Sequence, residues 1–451
     1  MNDFPGRFRI LGFDTDHRAG IVRFHYRYSS GPEFCEVLDF GHALPSCPKI
    51  TAVFDALSVL LGISYYKAYA PDHIIVDSPN ISAQQMGFFR TLYLNGLGEF
   101  AYRNKLDLSS RVNFERGRDA PRPGLADRVA SSPDLTADRR HAVLIGGGKD
   151  SLVSVEILRA AKEPMVLFAV NPKQPMIDCA DASGFPLISV RRTLDPKLFA
   201  LNDQGALNGH VPITAIVSFI AVAASFVHGF KSIILSNERS ADEGNVTHGG
   251  ITINHQFSKS SLFEDEIRQY INDYISTDLS YFSLLRPLSE VHIGQLFAKT
   301  DRYDSVFTSC NRAFRLRDTA PGARWCGACP KCRFTFLILA AAMPRERLLK
   351  IFGTDLLDDA AQLPGYEELA GLAGHKPWEC VGEIAESGAA ILTLANQPSW
   401  AEALIIRQLA PRLAAIMPQR DDLWRRFLTP SRDHHLAPAF ERMLDAYLGT
   451  K

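Results

Sequence analysis

The stretch HAVLIGGGKDSLVSVEIL, residues 141–158, carries the clearest fold signal in this chain of 451 residues. It begins with a short apolar run typical of a buried strand, continues through three glycines, and acquires helical spacing from about Ser151. A strand that ends in a bare turn and leads directly into a helix suits phosphate, because a helix N-terminus attracts anions. The stretch therefore predicts a phosphate-binding turn. The alternative is a glycine-rich turn that holds no ligand.

The sequence on either side of this unit alternates between strand and helix signals. Four short apolar runs, HAVLI, MVLFAV, PLISV and SIILS, are separated mostly by helical stretches. That alternation predicts an α/β fold with a doubly wound parallel sheet over residues 141–345 and helices on both of its faces. Residues 1–114 mix the two signals and predict an N-terminal α+β domain, which opens with a hairpin that turns near residues 14–20.

Two further regions complete the predicted organisation. Residues 115–140 are rich in proline, glycine, serine and charge, which predicts a linker. Residues 346–451 have mostly helical spacing and predict a helical C-terminal region, with a break near Pro364 and Gly365.

The composition is that of an ordinary globular protein. Because the formal net charge is -1, we expect no nucleic-acid partner. The apolar run at residues 211–227 is shorter than the roughly 20 residues of a membrane span, so it predicts a buried helix and no membrane contact. The first residues, MNDFPGRFRI, lack a signal-peptide pattern, and we expect a cytoplasmic location. Eight cysteines are too few for a disulfide scaffold, and their clustering favours a metal site.

The glycine turn fails two familiar phosphate-binding patterns. In the Walker A pattern a glycine is required where Val143 stands, and Asp150 follows Lys149 where serine or threonine is required. In the Rossmann pattern the third glycine is replaced by Ser151.

The turn instead resembles the S-G-G-x-D-S loop of the ATP pyrophosphatase (PP-loop) superfamily, with Gly146 in the place of the first serine. The resemblance implies an adenine nucleotide α-hydrolase-like domain that binds ATP and Mg²⁺. Glycine lets backbone N–H groups approach phosphate, and Asp150 is expected to help hold Mg²⁺. The turn supplies six of the expected ATP-binding residues: Gly146, Gly147, Gly148, Lys149, Asp150 and Ser151.

Polar residues also follow the later apolar run SIILS. Ligands of open α/β sheets collect where strands end, so this position predicts further contacts to the nucleotide. The residues expected to bind there are Ser236, Asn237, Glu238 and Arg239.

Four cysteines have the spacing C-x15-C-x2-C-x2-C and predict a metal site formed by Cys310, Cys326, Cys329 and Cys332. A closed set of four thiolates is typical of structural zinc. The motif resembles the zinc site that follows the PP-loop domain in 7-cyano-7-deazaguanine synthases. An iron–sulfur cluster and a metal-free loop are the alternatives, although Phe336 stands where a ferredoxin motif has its next cysteine.

An arginine-rich loop lies between the first two of these cysteines. Its members are Arg312, Arg315, Arg317 and Arg324, against a single Asp318. Guanidinium groups fit carboxylate and phosphate, so the loop is either a clamp for an anionic substrate or a solvated charged segment.

Longer motifs spread over most of the chain resemble one family, the UDP-N-acetyl-α-D-muramoyl-L-alanyl-L-glutamate epimerases. They include GISYYKAYAP, IGGGKDSLVS, SNERSA, NHQFSKS, YFSLLRPLSE, RWCGACPKC and HKPWECVGE. The resemblance implies an isomerase of peptidoglycan (cell wall) synthesis that converts the terminal L-glutamate of a UDP-linked muramoyl dipeptide to D-glutamate. It also implies ATP- and Mg²⁺-dependent adenylation of a carboxyl group, α-proton exchange and hydrolysis.

Proton-transfer candidates come from HKPWECVGE and from the turn. We expect catalytic roles for Cys380 and Glu383, in addition to Lys149 and Asp150. A thiolate is the reactive form of cysteine, and His375 or Lys376 is expected to lower the pKa of Cys380. If the stretch is helical, Glu379 and Glu383 share a face. The alternative is that Trp378 and Cys380 only pack a seam between domains, and His210 and His255 are interpreted as structural.

Two other functions remain open at this stage. A PP-loop enzyme that adenylates a nucleobase or tRNA should display a basic patch with interleaved aromatic residues. A non-catalytic nucleotide sensor would bind ATP without forming AMP.

Overall fold

The computed structural model describes residues 6–117, 140–248, 251–314, 324–417 and 420–449. Most of the predicted linker at 115–140 therefore lies outside the described residues, as do Arg315, Arg317 and Asp318 of the arginine-rich loop.

The described residues form one large mixed sheet and a small hairpin. The strands are β1 Phe8–Asp16, β2 Ile21–Tyr28, β3 Glu33–Asp39, β4 His73–Val76, β5 Asn113–Arg116, β6 His141–Leu144, β7 Met165–Val170, β8 Leu187–Thr193, β9 Ser232–Leu235, β10 Val246–His248, β11 Ile251–Ile253 and β12 Ser280–Ser283. The large sheet has the order β12-β9-β6-β7-β8-β3-β2-β1-β4-β5, and β10 pairs with β11.

Helices fill the intervals between strands and make up the C-terminal region. They are α1 Pro48–Leu61, α2 Ile63–Tyr66, α3 Ala83–Gly96, α4 Gly98–Asn104, α5 Lys149–Ala160, α6 Gln174–Ser183, α7 Pro196–Asp203, α8 Ile213–His228, α9 Ser261–Tyr274, α10 Glu290–Ala298, α11 Pro330–Ala340, α12 Arg345–Phe352, α13 Leu363–Leu369, α14 Ile384–Leu394, α15 Leu404–Ile416, α16 Arg420–Leu428 and α17 Pro438–Leu448.

The central part of the sheet is parallel, as the alternating pattern predicts. Strands β12, β9, β6, β7 and β8 are paired in parallel. Successive residues of β6 contribute to different cores: Ala142 belongs to one hydrophobic cluster and Val143 to the other. Both faces are therefore covered, which confirms the α/β fold and the parallel sheet with helices on both faces.

The N-terminal strands extend this sheet. The predicted hairpin of β1 and β2 is present, and β3 pairs antiparallel with β8 through Val37 and Thr193. One hydrophobic cluster consequently includes residues from Phe8 to Tyr281. Because the sheet runs on across this boundary, the division of the chain at residues 115–140 stays a prediction.

Two local expectations are wrong. Pro364 does not break a helix; it occupies the first turn of α13, where a missing N–H costs nothing, and Gly365 continues that helix. The segment that carries Glu379 and Glu383 is not helical before α14, so these two residues do not share a helix face.

One helical segment, residues 48–66, is long and apolar enough to cross a membrane, and 89% of it is buried inside the fold. The predicted helix at residues 211–227 is present as α8 and is also largely buried.

Candidate active site

The glycine turn follows β6 and leads into α5. Gly147 has φ of +79°, a conformation that favours glycine, and Gly148 is the N-cap residue of α5. A Cβ at Gly148 would lie 2.7 Å from Ser309 Oγ, whereas a Cβ at Gly146 would meet nothing within 4 Å. The turn is therefore sterically closed to side chains at one glycine and open at the other. The helix begins at Lys149, two residues before the expected start.

A cavity of about 340 Å³ opens at the carboxyl ends of the parallel strands. It lies between β6 and β9. After β6 the chain continues to β7 on one side, and after β9 it continues to β12 on the other side. Ligands of open α/β sheets bind where the strand order reverses in this way. Polar residues line one part of it: Gly146, Gly148, Asp150, Ser151, Ser236, Asn237, Thr308 and Ser309. Apolar residues line another: Phe168, Val170, Met176, Ile213 and Val217.

Three carboxylates meet below the turn. Single oxygens of Asp150, Glu238 and Glu290 lie within 4.8 Å of one another. The buried Lys149 ammonium donates to Asp150 and to Glu290. Burial raises the pKa of Asp150, but the ammonium groups of Lys149 and Lys331 outweigh it and hold that pKa below its ordinary value. Asp150 is therefore ionised at the cavity wall.

The same carboxylates suit a hard cation. Asp150 lines the cavity, and Glu290 Oε1 is buried and accepts no hydrogen bond from any described residue. An all-oxygen set with an unsatisfied oxygen is the donor chemistry that Mg²⁺ takes, whereas the Lys149 ammonium offsets part of the cluster's negative charge.

The four predicted metal cysteines come together. Their Sγ atoms all lie within 4.8 Å of one another, with Cys326–Cys332 at 3.7 Å and Cys329–Cys332 at 3.5 Å. A zinc tetrahedron with Zn–S bonds of about 2.3 Å has edges of about 3.8 Å, so the geometry fits four thiolates around one zinc ion. All four cysteines are buried or half-buried, as a closed site requires.

The cysteine cluster also shapes the glycine turn. Thr308, two residues before Cys310, donates from its N–H to Gly147 O at 2.9 Å. The Thr308 hydroxyl donates to Arg324 O at 2.8 Å and accepts from the Cys310 N–H at 3.0 Å. The segment that carries the first cysteine therefore packs directly against the turn and lines the cavity beside it.

Cys380 lines the same cavity, within a group of charged residues. Lys259 Nζ donates to Cys380 Sγ at 3.2 Å, and His255 is close enough to lower the pKa of the thiol. Burial raises the pKa of Cys380, but the charges of Lys259 and His255 outweigh it and lower the pKa to about 6. Cys380 is therefore a thiolate at neutral pH, which is the reactive form.

A carboxylate supports this group from behind. Glu99, near the start of α4, accepts from His255 Nδ1 and, at 2.6 Å, from Arg103 Nε. Burial lowers the pKa of His255, but Cys380 and Glu99 outweigh it and raise the pKa to about 9. His255 is thus an imidazolium between two anions.

Comparisons with known proteins match most of the chain. Residues 2–284 match the MurL N-terminal domain family, and residues 306–423 match the MurL C-terminal domain family. A UDP-N-acetyl-alpha-D-muramoyl-L-alanyl-L-glutamate epimerase of Xanthomonas oryzae pv. oryzae is 42% identical over 423 residues, covering 92% of this chain and 90% of that protein. A protein of the same name from Micromonospora sp. is 41% identical over 451 residues, covering 97% of each chain.

The chain belongs to the UDP-N-acetyl-α-D-muramoyl-L-alanyl-L-glutamate epimerase family. It is an enzyme of the isomerase class, and the family resemblance of its motifs is confirmed. Assignment of the glycine turn to the PP-loop superfamily stays a prediction.

The residues predicted for this epimerase-family site are only partly gathered at the cavity. Ser236 and Asn237 line it, and Ser236 Oγ lies 2.7 Å from Ser154 Oγ. Among the described residues, Glu238 and Arg239 stand behind the cavity lining. Glu383 also stands outside the lining described here; it is the N-cap residue of α14 and lies 3.9 Å from Arg239.

The residues expected to activate Cys380 are wrong. His375 is exposed, and Lys376 donates to Glu243 Oε2 at 2.6 Å. Lys259 and His255 take the role instead. The ion pair of Lys376 with Glu243 and the bond from Asn245 Nδ2 to Pro377 O at 2.8 Å hold residues 376–380 in place, and Asn245 Oδ1 accepts from the His255 N–H at 2.9 Å. The seam interpretation holds for Trp378, whose ring packs at a tilt of 36° against Tyr102 with 5.3 Å between the ring centroids, while Cys380 lines the cavity.

Sequence reasoning missed the residue that joins the two halves of the site. Buried Arg286 donates from Nη1 to Glu238 O at 2.9 Å and from Nη2 to Lys259 O at 2.6 Å, while it pairs with Glu264. Arg286 lies within the family motif YFSLLRPLSE, and a charged residue inside an apolar stretch was the available signal. In the arginine-rich loop, Arg324 pairs with Asp178 at 3.0 Å and Arg312 is exposed.

Proposed function

We propose that this enzyme converts the terminal L-glutamate of UDP-N-acetylmuramoyl-L-alanyl-L-glutamate to D-glutamate for peptidoglycan synthesis, with ATP and Mg²⁺, through an adenylated carboxyl group. The names of the relatives support the substrate. One observation supports the mechanism: a single cavity is lined both by the glycine turn and by Cys380. A phosphate-binding turn that faces a thiolate suits the activation of a carboxylate and work on the carbon next to it.

The chemistry explains why activation is needed. Removing the α-proton beside a free carboxylate creates a dianion, so that proton is poorly acidic. Attaching AMP removes one negative charge and lets the carbanion delocalise as an enolate. A positioned base and acid then contribute typically 10²–10⁴-fold each to the rate.

The two walls of the cavity divide the work of binding ATP. The apolar wall, with Phe168, Val170 and Met176, suits the adenine ring. The glycine turn and the first N–H groups of α5 suit the phosphates. Asp150, with Glu238 and Glu290, would hold Mg²⁺, which supplies positive charge to the departing pyrophosphate.

The four cysteines would hold a structural zinc ion. Four thiolates leave no open position for substrate, so zinc there would contribute folding energy rather than chemistry. Through Thr308 it would also keep the wall that carries Ser309 against Gly148.

The proposal is tested by the products formed from ATP. The expected result is release of AMP and pyrophosphate that depends on the UDP-linked dipeptide. Three matched substrates control for specificity: UDP-N-acetylmuramoyl-L-alanine, which lacks the glutamate, free L-glutamate, and tRNA. Release of ADP and phosphate, epimerisation without ATP, or stimulation by tRNA in place of the dipeptide would contradict the proposal.

A further inference from the structure

Glu99, His255 and Cys380 form a continuous chain of contacts that ends at the cavity. Glu99 accepts from His255 Nδ1, and the His255 imidazolium is close enough to Cys380 to lower the pKa of its thiol. Cys380 is the member that lines the cavity. Acyl-transfer enzymes combine the same three groups: a nucleophile, a histidine beside it, and a carboxylate that orients the histidine.

Contact between Cys380 and His255 limits what the pair can do. Inversion at the α-carbon needs proton exchange on opposite faces of that carbon. Two side chains that adjoin each other at one side of the substrate do not reach both faces of that carbon, so they are not the two proton carriers. The pair is instead arranged to hold one sulfur atom as an anion at one face of the substrate.

The surroundings hold that sulfur ready for attack. Lys259 Nζ lies 3.2 Å from Cys380 Sγ, and Lys259 itself lines the same cavity as the thiol. Lys331, which also lines the cavity, adds positive charge near it. The backbone is fixed as well, because the Lys331 N–H donates to Glu379 Oε2 at 2.9 Å, one residue before the cysteine.

We propose that Cys380 is a nucleophile that takes the activated glutamyl group from the adenylate, and that inversion takes place on the resulting thioester. This inference rests on the proposed function. Glu99 and His255 are positioning residues for the thiolate.

The step balances without any further reagent. Cys380 Sγ attacks the acyl carbon, the C–S bond forms, and the bond from that carbon to the phosphate oxygen breaks as AMP leaves with the electron pair. The α-proton leaves and one returns at the other face. Water then adds to the thioester carbonyl, the C–S bond breaks, and the carboxylate and the thiolate are regenerated as both protons of the water pass to solvent.

The thioester has a chemical advantage over the adenylate. Sulfur lone pairs overlap poorly with the carbonyl, so the enolate formed by loss of the α-proton is favoured. Release of AMP before inversion also removes a negative charge from the cavity in which the carbanion forms.

The experiment is a rapid acid quench of the full-length protein during turnover with ATP, Mg²⁺ and the UDP-linked dipeptide. The expected result is a peptide that contains Cys380 and whose mass is increased by that of the substrate acyl group. Treatment with neutral hydroxylamine should cleave the thioester and return the peptide to its unmodified mass. Cys380→Ala should still release pyrophosphate once per site, while its exchange of the glutamate α-proton with deuterated water falls by about 100-fold. Cys35→Ala, at a half-buried cysteine in β3, is the matched control and should behave as wild type.

Each failure has a separate meaning. If the wild-type protein forms AMP and exchanges the α-proton but yields no adduct, the thioester is overturned and the epimerase proposal stands. Exchange in Cys380→Ala at more than a tenth of the wild-type rate also overturns the thioester. If the wild-type protein forms no AMP with the dipeptide, the proposed function fails, and the thioester fails with it.

The positioning role of Glu99 has its own test. Glu99→Gln should raise the pH at which Cys380 is alkylated, whereas a purely structural role would leave that pH unchanged.

Discussion

The glycine turn and the thiolate group, formed by Cys380 with Glu99, His255, Lys259 and Lys331, contribute to one cavity, yet they are built in opposite ways. The turn is made by contiguous residues and packs closely through absent side chains, because a Cβ at Gly148 would lie 2.7 Å from Ser309 Oγ and force that hydroxyl to move. The thiolate group draws on four separate parts of the chain and works through charge, because Lys259 and His255 overcome the burial of Cys380. Damage to the turn therefore arises from a few adjacent residues, while damage to the thiolate group arises at positions far apart in the chain.

The largest expected effect comes from the charge within the turn. Asp150→Ala should lower AMP formation by about 100-fold or more, because it removes the ionised carboxylate that faces the cavity. The measurement is AMP release at saturating dipeptide. Asp195→Ala is the matched control, since Asp195 caps α7 by accepting from the Lys197 N–H at 2.9 Å. Loss of that cap should cost about 0.5–2 kcal/mol of stability and leave the rate unchanged. If Asp150→Ala forms AMP at nearly the wild-type rate, the carboxylate of Asp150 is not needed for AMP formation and the residue is only part of α5.

The steric half of the comparison is tested by two glycines of the same turn. Gly148→Ala should lower the rate of AMP formation by roughly 10- to 100-fold, because the new Cβ displaces Ser309 from the cavity wall. Gly146→Ala should be close to wild type, since a Cβ there meets nothing within 4 Å. Equal losses at the two positions would mean that the fit of the turn to Ser309 is irrelevant to ATP.

Metal removal tests whether the cysteine cluster supports the turn. Cys329→Ala should abolish bound zinc and lower the midpoint of thermal unfolding by roughly 5 °C or more. Affinity for ATP should fall too, because Thr308 links the cluster to Gly147. The measurements are the metal content of the purified protein and its affinity for ATP by titration, with Cys47→Ala as the control. Iron and sulfide in the purified protein, or unchanged metal content in Cys329→Ala, would contradict the zinc site.

The smallest effect expected is a shift in the reactivity of Cys380. Thiolate forms as pH rises through the pKa, so alkylation of Cys380 should increase around pH 6 and reach a plateau above it. Cys179 is the internal control, because burial raises its pKa to about 12. Lys259→Met removes one ammonium while His255 and Lys331 remain, so the midpoint should move up by about one pH unit. An unshifted midpoint would show that Lys259 does not stabilise the thiolate.

The contrast between the two regions also sets what the sequence could predict. The strand, turn and helix at residues 141–160 are adjacent in the chain, so local pattern was enough to find them. The metal cysteines could be predicted because their short spacing is itself a geometric constraint. His255 and Lys259 belong to the motif NHQFSKS, but no local sequence pattern indicates that they lie beside Cys380. That contact depends on Arg286, on Asn245 and on the ion pair of Lys376, which are long-range and buried.

The continuation of the sheet could not be predicted for a similar reason. Pairing of β3 with β8 joins Val37 to Thr193, and neither strand carries a pattern that identifies its partner. Glu383 was selected for its carboxylate, whereas its position is that of an N-cap residue that shares a capping box with Glu386.

The central claim is that a carboxyl group activated at the glycine turn is inverted beside the thiolate. The most direct measurement is incubation with UDP-N-acetylmuramoyl-L-alanyl-L-glutamate, ATP and Mg²⁺ in deuterated water, with AMP and α-deuterium measured on the same samples. If both regions act on the same glutamate, the product is D-glutamate that carries deuterium at the α-carbon, and AMP forms in proportion to it. No exchange should occur when ATP is omitted. Deuterium exchange without ATP, or AMP formation with no deuterium at the α-carbon, would contradict it.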